Sequence, residues 1–282
     1  MKRFSKLALP YIVWAALMLV LPMALIALYS VMEQGNSIIS FSFTLDHYIK
    51  FFTDPDFLLI LWRSITIAVK TTIVCLLLGY PAAYVISKSS EKAQNILILC
   101  ITLPMWINML VRTYAWIGLL SEGGIIQTIL GFFGLGDMEL LYTEGAVLLG
   151  MVYNFLPFMI LPIYSVLVKL DKSLVEAAYD LGANGVTTFF KVILPQSVPG
   201  IISGITMVFI PAITAFAISR LLGGSKFMLY GDLIENQFIT LGRDAWPVGS
   251  ALSFILLVLV LISMAIMRRA EREAGEEGGM LW

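Results

Sequence analysis

Six apolar runs, each long enough to cross the hydrocarbon core of a membrane, constrain this chain more than any other feature. They lie at roughly residues 9–32, 64–87, 95–120, 145–168, 198–217 and 248–267. Crossing takes about 20 residues of helix, because lipid offers no partner to a backbone N–H or C=O and the segment must satisfy its own. Composition agrees, since 59% of the 282 residues are hydrophobic and only 13% are charged, well away from the balance of soluble domains. The expected fold class is all-α, a polytopic membrane protein with six transmembrane helices. Its expected organisation is a short N-terminal segment (1–8), a six-helix domain (9–267) and a tail (268–282).

The net charge of -1 says less than where the charges sit. An even number of spans puts both termini on one side. The segments on that side carry Lys2, Arg3, Lys6, Lys88, Lys92, Lys169, Lys172, Lys191, Arg268, Arg269 and Arg272, against Lys50, Arg63, Arg220, Lys226 and Arg243 on the other. Basic residues are retained on the cytoplasmic side, so both termini are expected in the cytoplasm of a multi-pass cell-membrane protein. The first run follows a basic start. It is longer than a signal peptide's apolar region and meets no small-x-small site before Glu33, so it reads as an uncleaved helix.

Little here points to catalysis. Cys75 and Cys100 fall inside apolar runs and outside any metal-ligand spacing, and the only histidine, His47, lies in a loop. No GxSxG, HExxH or GxxxxGK[ST] sequence occurs. No catalytic residue, metal or cofactor is expected in this chain, and if it works with ATP another chain must bind the nucleotide.

The most informative loop runs from 169 to 197. Ser173-Leu174-Val175-Glu176 has the spacing of a capping box, predicting a helix start at Ser173. Leu174, Ala177, Ala178 and Leu181 recur at i, i+3, i+4 and i+7, one narrow apolar stripe whose alanines admit a close neighbour. Gly182 is placed to end that helix in the left-handed conformation. After the turn dipeptide Asn184-Gly185, a second short helix is predicted over 187–193, with Pro195 and Pro199 expected to break it before the fifth span.

Glu176-Ala177-Ala178, then Gly182 three positions after Tyr179, then Ile193-Leu194-Pro195, resembles the EAA loop of permeases from binding-protein-dependent ABC importers. Two further stretches resemble the spermidine/putrescine permeases of that family. One runs from Leu103-Pro104-Met105-Trp106-Ile107-Asn108 to Val111-Arg112-Thr113-Tyr114-Ala115-Trp116. The other is Leu221-Leu222-Gly223-Gly224-Ser225-Lys226 with Ile234, Gln237-Phe238 and Trp246-Pro247. Permeases for other cations, thiamine or iron share much of the pattern.

The resemblance implies the type I importer permease (MetI-like) fold. It also implies a second permease subunit, an ATPase dimer that holds ATP and Mg, an extracytoplasmic substrate-binding protein, membrane lipid around the spans, and no nucleic acid. In that family the loop docks in a cleft of the ATPase, which assigns coupling to Glu176, Ala177, Ala178, Gly182, Ile193, Leu194 and Pro195.

A polyamine in a membrane needs carboxylates, carbonyls or aromatic faces for its ammonium groups. Trp106, Asn108, Thr113, Trp116, Tyr153, Asn154 and Phe209 are the candidate pathway lining, although packing and lipid-facing belts use aromatics too. No Asp or Glu lies near the middle of any run, whereas Lys70 and Arg112 do lie within runs, a costly placement unless paired. Asn108, Arg112 and Trp116 at four-residue spacing suggest that Arg112 braces its own helix, so the carboxylates are expected from the second permease. Among the outer-loop acids Glu33, Asp46, Asp54, Asp56, Glu122, Asp137, Glu139, Asp232, Glu235 and Asp244, the candidates for docking the binding protein are Asp232 and Glu235. A secondary transporter would call for intramembrane carboxylates or broken, inverted repeats, and a membrane enzyme for converging acid–base groups; the residues offer neither.

Overall fold

A computed structural model describes residues 2–33, 42–134 and 138–279; Asp137 lies outside them. The helices in chain order are α1 (Lys2–Tyr29), α2 (Asp46–Thr53), α3 (Pro55–Lys88), α4 (Glu91–Thr102), α5 (Met109–Leu120), α6 (Ile125–Gly131) and α7 (Glu144–Leu167). They continue with α8 (Lys172–Asp180), α9 (Gly185–Thr188), α10 (Leu194–Thr214), α11 (Ala217–Gly223), α12 (Tyr230–Ile239) and α13 (Trp246–Gly279). Among the described residues the only strand pairing is a single antiparallel bridge between Met32 and Phe43.

Among the described residues, six stretches are long and apolar enough to cross a membrane: Pro10–Tyr29, Pro55–Lys88, Met109–Phe132, Glu144–Leu167, Gly185–Thr214 and Arg243–Arg272. Five overlap the expected runs, the fifth starting at Gly185, 13 residues before the expected 198. The third does not form the continuous helix expected over 95–120. After α4 the chain tightens into a 3₁₀ turn, Leu103–Trp106, and Ile107 adopts an extended conformation before Asn108 caps α5. Pro104 contributes to the break, since it has no N–H to give the Cys100 carbonyl four residues before it; Leu103 itself stays helical. Other prolines sit inside helices that persist: Pro10 and Pro22, Pro81, Pro157 and Pro162, Pro199 and Pro211. Prolines are tolerated in spans where local adjustments and neighbouring groups satisfy the freed carbonyls. The terminal segments expected outside the bundle are helical as well, α1 starting at Lys2 and α13 running to Gly279.

The chain forms two compact units, one of residues 1–60 and 231–261, the other of 61–230 and 262–282. In the first, the end of α1 is tied to α2. The Tyr48 hydroxyl donates to Ser30 Oγ at 2.7 Å and His47 Nε2 lies 2.9 Å from the Met32 carbonyl. Tyr29 meets Trp246 edge to face, and the Trp246 indole N–H donates to the Phe238 carbonyl at 3.3 Å.

In the second unit α7 is the most buried span, and α10 packs closely along it. Gly200 makes this possible, because a Cβ there would lie 3.0 Å from the Pro162 carbonyl oxygen and 3.1 Å from Ile163 Cα. Gly204, one turn on, would meet Met159 Sδ at 2.7 Å. Small residues four apart let backbones touch where lipid supplies no hydrophobic drive. Ser64 Oγ accepts from the Tyr230 N–H at 2.7 Å, and Ser203 Oγ donates to Glu271 at 2.9 Å. Lys70 pairs with Glu144, the first residue of α7. The basic residue that stands alone in its own run is therefore level with the first turn of another.

Candidate functional site

The loop after α7 is built from three helix ends. Asp171 caps α8: its Oδ1 accepts the Ser173 N–H at 2.9 Å, and that bond holds the Asp171 carboxyl below its usual range. The Ser173/Glu176 box expected from the spacing does not start the helix. Asp171, two residues earlier, puts a full negative charge on the positive helix terminus, and a charged acceptor outcompetes a hydroxyl. Asp171→Ala should therefore speed amide exchange in the first turn of α8, and Ser173→Ala should do so much less, since it keeps the larger backbone bond to Asp171. Because the folded carboxyl titrates below its ordinary 3.8, the cap is fully present above that pH and is lost as pH falls through the lowered value.

The other end of α8 closes as expected. Gly182 has φ of +82°, the Gly182 N–H donates to the Tyr179 carbonyl at 2.9 Å and the Ala183 N–H to the Ala178 carbonyl at 3.0 Å. These are the paired bonds of a Schellman motif. Asn184 then caps α9, accepting the Thr187 N–H at 2.8 Å.

From Gly185 the backbone does not stop where Pro195 and Pro199 were expected to break it. α9 passes through a π turn, Phe189–Ile193, directly into α10. The Leu194 N–H reaches back to the Phe189 carbonyl, so the wider turn relieves the crowding that the ring of Pro195, in the first turn of α10, would impose. Phe189 is held edge-on by Tyr80 and Tyr84 of α3, and Tyr80 shares a 2.9 Å hydrogen bond with Ser197. Gln94 of α4 donates to the Ser87 and Ser89 carbonyls and accepts from the Tyr164 hydroxyl. A cavity of about 370 Å³ opens there, lined in part by Lys88, Gln94, Lys172 and Glu176.

Of the candidate coupling residues, Glu176, Ala177, Gly182 and Pro195 are exposed, Ala178 and Leu194 half-buried, and Ile193 buried in the packing. Leu181 is 89% exposed, with Tyr179, Val186 and Phe190 also outward. Sequence reading placed Leu181 on the helix stripe and gave the other three no role; apolar side chains flanking a Gly turn in a short polar loop were the signal.

A second group forms where α5 meets α7. The Trp116 and Tyr153 rings are edge to face at 5.4 Å, and the Arg112 guanidinium lies 6.0 Å from the Tyr153 ring centre. Arg112 Nε and Nη1 have no hydrogen-bond partner. Asn154, next along, is buried; its Nδ2 donates to the Gly150 carbonyl and its Oδ1 is unpaired. Pro157 has no N–H to offer the Tyr153 carbonyl four residues before it.

The other expected lining residues lie elsewhere. Asn108 spends its carbonyl oxygen capping α5 through the Leu110 N–H, so it precedes the helical stripe rather than belonging to it. Trp106 is exposed on the 3₁₀ turn, Phe209 is half-buried on α10, and Thr113 is buried with its hydroxyl bonded to the Met109 carbonyl.

Asp232 is only 9% exposed and Glu235 half-buried on α12, so Asp232 does not stand on an open rim. Glu122 and Glu139, by contrast, are exposed beside a cavity of about 640 Å³ that also involves Gln127, Tyr142 and Lys226.

Residues 75–275 match the family of binding-protein-dependent transport system inner membrane components. Over 274 residues the chain is 39% identical to the spermidine/putrescine transport system permease protein PotB of Haemophilus influenzae, covering 96% of this chain and 95% of that one. The Escherichia coli PotB is 38% identical over 262 residues, 92% of this chain and 94% of its own. Among solved structures, a bacterial ABC transporter involved in alginate import is similar with a TM-score of 0.73. It covers 94% of this chain and 95% of its own at 20% identity, a likeness of fold.

Proposed function

The chain belongs to the family of binding-protein-dependent transport system inner membrane components, and from that premise we propose that the importer it serves carries polyamines, spermidine or putrescine. It is a multi-pass permease subunit of an ABC importer. The observation that carries the substrate assignment is the 38–39% identity to two spermidine/putrescine permeases across nearly the whole chain. The Trp116–Tyr153 pair agrees with it, offering aromatic faces of the kind that stabilise ammonium groups.

In this reading the chain pairs with a PotC-like permease and a PotA-like ATPase dimer that binds ATP and Mg, and it receives substrate from a PotD-like binding protein. The basic residues at 88, 92, 169, 172 and 191 support a cytoplasmic position for the loop and both termini. The exposed Glu176, Ala177, Gly182 and Leu181 then face the ATPase. Arg112 braces Tyr153, and carboxylates for the substrate come from the second permease. Docking of the binding protein falls to the exposed Glu122 and Glu139 more than to the buried Asp232.

The test is the complete transporter in liposomes. ATP hydrolysis should rise with binding protein loaded with spermidine or putrescine. Equal stimulation by a partner loaded with an anion would overturn the substrate assignment.

A further inference from the structure

The segment between the first two spans contains an amphipathic helix whose apolar side nothing in the described chain covers. On α2 and its N-cap, Leu45, Ile49 and Phe52 fall at i, i+4 and i+7 and are 50%, 59% and 65% exposed. The opposite side is fixed. Phe51 is buried and stacks on Phe57 in the first turn of α3, with centroids 6.1 Å apart. Tyr48 and His47 bond the residues just after the first span, at Ser30 and Met32.

Those bonds set the depth of α2. The apolar part of α1, Pro10–Tyr29, has 20 residues, about 30 Å of helix, which equals the thickness of a hydrocarbon core. Ser30 and Met32 therefore sit where α1 leaves it. α3 has 34 residues, about 51 Å, and being longer than the core does not fix a depth by itself.

From this geometry we infer that α2 lies in the membrane surface, with Leu45, Ile49 and Phe52 in the boundary between lipid headgroups and acyl chains. The exposed Asp46, Lys50 and Thr53 take the aqueous side. The occupant is lipid rather than a protein partner because the face continues the open apolar sides of the two spans that flank it: Leu25 and Leu28 near the end of α1, and Leu58 and Leu59 at the start of α3, are exposed too. An apolar side with a Phe and a polar side with a Lys is the pattern of helices that lie in this boundary. The helix then holds the end of α1 at a fixed level.

The test uses the full assembled transporter in phosphatidylethanolamine/phosphatidylglycerol vesicles, with Cys75 and Cys100 replaced by alanine. Single variants Ile49→Cys, Phe52→Cys, Lys50→Cys and Thr53→Cys carry a nitroxide, and its collisions with oxygen, which dissolves in lipid, are compared with those of a water-soluble nickel chelate. The oxygen-to-nickel ratio should be several-fold higher at 49 and 52 than at 50 and 53. Equal ratios at all four positions would overturn the proposal by placing the face in water. Protection of 49 and 52 from both reagents would overturn it by placing a protein there.

Discussion

Gly182→Val is expected to abolish transport while leaving normal amounts of the chain in the membrane. At φ of +82° a Cβ at this position would meet nothing within 4 Å, so the cost is conformational and not a clash. For a β-branched residue in the left-handed region it is about 1–2 kcal/mol or more. The helix end relieves that strain by giving up the bonds from Gly182 to Tyr179 and from Ala183 to Ala178, and α8 loses its fixed angle to α9. The apolar runs are untouched, so insertion proceeds. Membrane content by immunoblot, co-purification of the ATPase and polyamine uptake separate the outcomes. Gly182→Asn, which tolerates the same φ, should retain most uptake. Full uptake by the valine variant with the ATPase bound removes the coupling role, and disappearance of the protein makes the loop a folding element.

The second large effect has the opposite signature. Gly200→Val should reduce the amount of folded protein itself, because, beside the Val166 side chain, the atoms in its way belong to the α7 backbone at Pro162 and Ile163, which no rotamer change can move. Overpacking of a tight contact costs about 1–3 kcal/mol and more where backbone must shift. Gly204→Ala should be milder, since the nearest atom is the sulfur of the flexible Met159 side chain. Thermal unfolding in detergent, followed by retention on size-exclusion, checks the order. A valine variant as stable as the parent would mean that α7 and α10 separate more easily than their packing shows.

What could be read without coordinates followed from which physics each feature obeys. Spans were legible because twenty apolar residues in lipid have almost one solution, the helix. Gly182 was legible because only a few residue types close a helix in the left-handed conformation, and it sat at the end of a clear stripe. The Asp171 cap was missed because two acceptors lay two residues apart and the spacing rule favoured Ser173; their relative strength decided the matter. Pro195 and Pro199 misled for a different reason. A proline breaks a helix only if its ring has nowhere to go, and the π turn at Phe189–Ile193 makes room, a register no pattern in the sequence announces. The Trp116–Tyr153 contact joins residues 37 positions apart on different helices, and helical spacing on either one cannot find it. Asp232 reads as a docking residue because its segment is an outer loop in the sequence, yet on α12 it is only 9% exposed.

The continuous backbone from Gly185 to Thr214 also bears on how such a chain can change length over descent. Each residue added to a helix turns everything beyond it by about 100°. One insertion between Gly185 and Gly200 would swing Gly200 and Gly204 off α7 and carry bulkier side chains into their place. The π turn already holds the one spare residue that this stretch contains. Insertions and deletions should therefore be rare between Gly185 and Gly204, where the distance to the small residues of α10 stays fixed to the residue, and fall instead outside that continuous helix.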